Sequence, residues 1–258
     1  MQGLEKKVVN KKGQLTIFVI VAIVIVALGV LVYNFFPEIK TTLGFAVNNP
    51  GSFMQECMDE ELGNSVKMIS SQGGSLDPVH YYLYLDEKIG YLCYTNEDYL
   101  TCVVQQPLLK QHIENEIKNA IKNKEDSCFA ELRNSFQGQG YSVDLKEGNT
   151  SVELLPKRVV VTFNRQLTLT KEDSETYEKL DVVLNNNLYE LMSVANSIIN
   201  MEVQFGDSET TVYMNYYHNL KVEKLKQGDG TKVYILTNRD TGNKFQFATR
   251  SKVFPAGI

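Results

Sequence analysis

The sequence predicts an α+β protein: an N-terminal single transmembrane helix followed by an extracytoplasmic domain of long helices packed on antiparallel strands. Three observations predict it. Residues 15–36 carry no charge; later segments repeat apolar residues at helical spacing; and the stretches between and after them are rich in Tyr, Val, Ile and Thr and broken by Gly, Asn and Asp.

The uncharged run covers 22 positions, about 33 Å of helix, with only Thr16, Gly29 and Asn34 mildly polar. Lys6, Lys7, Lys11 and Lys12 precede it against Glu5 alone, whereas Glu38 and Lys40 balance behind it. Positive charge stays inside, so residues 1–13 read as a basic cytoplasmic leader and 14–47 as a transmembrane and membrane-proximal helix, with the rest extracytoplasmic. No second apolar segment is long enough to bring the chain back. Ala27-Leu28-Gly29 loosely matches a secretory cleavage site, but hydrophobicity continues through Val30, Leu31 and Val32, beyond an ordinary signal peptide.

Asn48-Asn49-Pro50-Gly51 breaks that helix, and Ser52 with Gln55 reads as a capping box starting the next. Met54, Met58, Leu62, Val66 and Ile69 give it a buried face, and Gly73-Gly74 ends it. Residues 81–85 and 89–94 predict a Tyr-rich hairpin around 86–88. Pro107 suits the first turn of a long helix with a stripe through Leu109, Ile113, Ile117, Ala120, Ile121, Cys128, Leu132 and Phe136. Gly138-Gln139-Gly140 is the expected internal boundary between a helical, Cys-containing region at 51–137 and an α+β region at 141–258. In the latter, 141–145, 151–155 and 158–170 predict strands, with a turn at 147–149. Leu180, Val183, Leu184, Leu188, Leu191, Ala195, Ile198 and Ile199 predict one long amphipathic helix. Strands follow at 220–225, 232–236 and 244–248.

Cys57, Cys93, Cys102 and Cys128 all fall in the exported part, where disulfides persist. Three pairings are open. Cys93 with Cys102, closing a short Tyr-rich loop, and Cys57 with Cys128, each on a helix, is the favoured one; buried free thiols are the alternative. Neither C-x-x-C nor histidines at ligand spacing accompany them, so no metal site is expected.

The leader's Glu5 and four lysines carry +3, so the whole-chain charge of −5 leaves −8 after Gly13. That balance argues against a nucleic-acid partner. His80, His112 and His218 sit in no catalytic motif, and no G-x-S-x-G, Walker A or G-x-G-x-x-G loop occurs. The expectation is a non-catalytic protein without a cofactor. Tyr81, Tyr82, Tyr84, Tyr91, Tyr94 and Tyr99, and again Tyr213, Tyr216 and Tyr217, offer contact surface for protein or sugar, or else simply fill strands. Asn149-Thr150-Ser151 is a glycosylation sequon facing the right compartment.

Lys11-Lys12-Gly13-Gln14-Leu15-Thr16, leading directly into an apolar helix, resembles the class III signal peptide of type IV pilin-like proteins, especially archaeal ones. The resemblance implies that a prepilin-type peptidase cuts between Gly13 and Gln14 on the cytoplasmic side. The helix then stays in the lipid bilayer, and subunits either assemble through it or remain as membrane-held surface proteins. Pro37 is similar to the proline that bends many pilin helices. Filament-forming pilins usually carry Glu at the fifth position after the cut, and Phe18 stands there. The expected function is a single-pass, surface-exposed structural or adhesive protein, associating with itself or with another surface protein; an anchored ligand-binding or sensor module is the alternative.

Overall fold

The structure, a computed structural model, describes Val21, residues 23–26 and residues 49–253. The chain divides into two units, Met1–Asn48 and Asn49–Ile258. In the first, Val21 and residues 23–26 are helical and exposed. The remainder of the expected span, with Gly13, Gln14, Phe18 and Pro37, lies outside the described residues. Among the described residues, no helix is long and apolar enough to cross a membrane.

The second unit begins with α1, Pro50–Ser71. It starts two residues before the expected capping box. Asn49 is the N-cap: its Oδ1 accepts the amides of Gly51 and Ser52 at 2.8 and 3.2 Å, and Pro50 occupies the first turn, where no donor is needed. Gln55 is engaged elsewhere, as described below. Met54, Met58, Leu62, Val66 and Ile69 are fully buried, and the Gly74 amide closes the helix by donating to the Ile69 carbonyl at 2.9 Å.

β1 (Tyr81–Tyr84) and β2 (Glu87–Tyr94) form the hairpin, but its turn is Leu85-Asp86, not 86–88. Both turn residues take positive φ, 49° and 65°, the two-residue geometry that matches strand twist. β3, Val103–Val104, pairs with the end of β2. Pro107 lies ahead of α2, Leu109–Gly138, instead of in its first turn. The predicted stripe is buried along α2 except Ala120, which is half-buried, and Glu125 and Phe129 join it.

Next comes a three-stranded antiparallel meander bent across its middle. β4 (Ser142–Leu145) and β5 (Thr150–Leu155) form one arm, β6 (Arg158–Phe163) and β7 (Leu167–Thr170) the central arm, β8 (Ser174–Tyr177) and β9 (Leu180–Asn185) the third. The expected turn at 147–149 is the bend. There Asn164 N donates to the Asn149 carbonyl and Lys146 N to the Gln166 carbonyl, each at 3.0 Å. A Cβ on Gly148 would sit 1.7 Å from the Asn164 carbonyl oxygen, so only glycine allows the crossing. Both edges of the inner half are covered by helix side chains. Gln55 of α1 pairs with Val183 N and O at 2.8 and 3.2 Å, and Glu114 of α2 accepts from Leu154 N at 2.9 Å.

The helix expected from Leu180 is shorter: α3 is Leu188–Phe205, 18 residues. Leu180 to Asn185 pair with β6 instead, burying Leu180 and Val182 while Asp181 and Val183 face outward. Apolar positions 180, 183 and 184 satisfy a helical period, but alternation and β-branching favour the strand. Gly206, left-handed at φ 73°, ends α3.

A short α4, Thr211–Tyr216, leads into β10 (Leu220–Lys226), β11 (Thr231–Asn238) and β12 (Lys244–Arg250). The sheet order is β1-β2-β12-β11-β10, with β12 and β2 parallel. The sheet is therefore mixed, a correction to the antiparallel expectation. α1 packs on α2, β9 and β12, and α3 on β12, β11, β5 and β6, so the helices lie between the two sheet systems. Elements before and after Gly138–Gly140 thus share one core, and the glycine turn ends α2 without dividing the unit.

Each disulfide staples neighbouring elements within one layer. Cys57–Cys128 ties α1 to α2 with a Cα separation of 5.9 Å, and Cys93–Cys102 ties the end of β2 to the segment entering β3.

Candidate functional site

A cavity of about 420 Å³ opens between α3, α4 and the start of β10, within the size range of small-molecule pockets. Tyr189, Tyr213 and Tyr217 line it together with Val194 and Leu220. These side chains arrive there because the outer face of α3 presents residues 189, 190, 193, 194 and 197 at helical spacing, and α4 folds back over that face. Tyr213 is fixed by a 2.9 Å hydrogen bond between its hydroxyl and Ser197 Oγ.

The floor is polar and rigid. Asn187, ahead of α3, and Asn238, at the end of β11, are both more than nine-tenths buried. Thr241, in the β11–β12 turn, holds both: its Oγ1 donates to Asn187 Oδ1 at 2.8 Å, and its amide donates to Asn238 Oδ1 at 3.1 Å. Asp240 N adds a second bond to Asn238 Oδ1 at 3.0 Å, and Asn187 N donates to Asn243 Oδ1 at 3.1 Å. With both oxygens occupied, each Nδ2 is the remaining donor. Neither has an acceptor among the described residues. Glu190 supplies the opposite chemistry: Oε1 accepts from Lys157 N at 2.9 Å, while Oε2 is buried without a donor. One Lys and one Glu at the rim leave no net charge.

A second cleft, about 370 Å³, contains His80, His112, Ser75 and Glu116. Ser75 Oγ lies 2.7 Å from His112 Nε2, the spacing of a nucleophile and its base. Glu116, one turn along α2, accepts from Leu76 N at 2.8 Å and does not orient the imidazole. His80 packs its ring on Tyr91 and Tyr94, at centroid distances of 4.8 and 4.1 Å, as part of a small aromatic cluster. No group of three His, Cys, Asp or Glu side chains is placed to hold a metal among the described residues.

The buried charges are paired. Fully buried Glu202 of α3 receives Lys232 Nζ on both oxygens at 2.8 and 2.7 Å, and the Tyr234 hydroxyl as well. Burial first, and the Glu202 charge second, push the Tyr234 phenol far above its ordinary range. Asp207, just beyond α3, would be raised by burial, but the Lys224 hydrogen bond and the charges of Lys232, Lys224 and Lys226 outweigh that and hold it below the usual carboxylate range. Glu125 accepts from Thr150 Oγ1 and from Arg165, each at 2.8 Å, pinning α2 to the bend.

Of the residues singled out by sequence, the cysteines form the two disulfides and Asn149 is exposed at the bend, its Oδ1 accepting from Lys118 at 3.0 Å. Gly13 and Gln14 lie outside the described residues. The tyrosines split: Tyr91 is buried, Tyr82, Tyr84 and Tyr94 half-buried, Tyr81 and Tyr99 exposed, and Tyr213 and Tyr217 meet at the cavity beside α3. Sequence reasoning missed Asn187, Asn238 and Glu190. The run Asn185-Asn186-Asn187 was the available signal, since such residues stop a strand and start a helix. No family model, curated protein or solved structure matches the chain.

Proposed function

We propose that this chain is a membrane-held surface protein of pilin-like type, non-catalytic, whose disulfide-stapled domain carries out structural or adhesive contacts outside the cell. The observation that carries the reading is the leader, Lys11-Lys12-Gly13-Gln14, set directly before 22 uncharged residues. The oxidised state of all four cysteines supports it, because such bridges persist in extracytoplasmic compartments. A solitary anchored ligand-binding module is the second reading, favoured by the cavity beside α3. N-terminal sequencing of the protein isolated from its native membrane tests the proposal: Gln14 as first residue is expected, and an intact Met1 would contradict it.

A further inference from the structure

We infer that the cavity beside α3 binds a neutral saccharide of one or two rings; this rests on the adhesive reading and names its ligand. Three properties of the cavity define the ligand. Its size, about 420 Å³, admits a small molecule and not a folded partner. Its walls carry three tyrosines, whose rings offer flat apolar faces with polar tips, the surface that the C–H face of a pyranose covers. Its floor presents the two Nδ2 donors of Asn187 and Asn238, held in place because each Oδ1 is engaged through Thr241.

The donors are the decisive feature. Both Nδ2 atoms lack an acceptor among the described residues without being sealed from solvent, so a ligand bringing acceptors to both can take the place of water there. Glu190 Oε2 lacks a donor and Ser193 adds a hydroxyl, so the ligand must also donate. Hydroxyl groups do both, and a sugar ring carries several on one rigid frame. The single Lys157 and single Glu190 give no excess charge to attract a phosphate, a sulfate or an ammonium ion.

The full chain in detergent, titrated with maltose, cellobiose, lactose and chitobiose, tests this by nuclear magnetic resonance. The side-chain amide signals of Asn187 and Asn238 are expected to shift on saturation by at least one of the four, with Kd on the order of 1 mM or tighter. Asn187→Asp and Asn238→Asp keep the oxygen that Thr241 needs while removing the donor, and each is expected to weaken binding about tenfold. Tyr217→Ala, at an exposed position, should also weaken it. Shifts by none of the sugars would overturn the inference, as would binding that survives all three substitutions. A peptide displacing the shifted signals where no sugar does would overturn it equally. None of these outcomes bears on cleavage at Gly13, so failure here is separable from failure of the surface-protein reading.

Discussion

Tyr234 is the residue whose burial has the clearest measurable consequence. Its folded phenol is held protonated, first by desolvation and then by the Glu202 charge, above the 10.0 of a free phenol. The unfolded chain releases that proton as pH passes about 10 and the folded chain keeps it, so stability falls as pH rises beyond that point. Urea unfolding between about pH 9 and about pH 11 should therefore decline with pH, and Tyr234→Phe should flatten the slope by up to about 1.4 kcal/mol per pH unit. An unchanged slope would mean that the phenol reaches solvent. The same scale shows how far sequence can go. The apolar stripe of α2 was legible, but Glu125 within it reads as a break, and only the structure shows it satisfied by Thr150 and Arg165. Gly148 was legible as a turn residue; that its missing Cβ admits the Asn164 carbonyl was not.

Among elements, α1 and α2 could be read because each repeats its apolar face over many turns, so local period decides the outcome. Residues 180–184 could not, because so short a run fits either period, and pairing with β6, a tertiary effect, settles it. The α1–α2 pair is also where covalent stapling matters most. Cys57–Cys128 closes a 71-residue separation and Cys93–Cys102 one of 9. Loop-closure entropy gives about 4 kcal/mol for the longer and about 2.5 kcal/mol for the shorter. Paired Ala substitutions at Cys57 and Cys128 should accordingly destabilise more than those at Cys93 and Cys102 in equilibrium denaturation. The reverse order would show that the short bridge does more than limit the unfolded chain.

For the whole molecule, the α+β class was legible, while the assembly of residues 49–258 into one unit was not. The parallel pairing of β12 with β2 joins segments more than 150 residues apart, and no local pattern announces it. The cavity beside α3 has the same origin, since Asn187 and Asn238 meet only after the β11–β12 turn packs under the helix. The account rests on one claim about the whole chain, that this unit faces the outside of the cell. Labelling intact cells with a membrane-impermeant amine reagent tests it most directly. Lys179 and Lys226, with side chains 58% and 67% exposed, should be modified on intact cells, while Lys232, 8% exposed, stays unmodified until the protein is unfolded. Lys179 and Lys226 protected on intact cells and modified only after lysis would contradict the account.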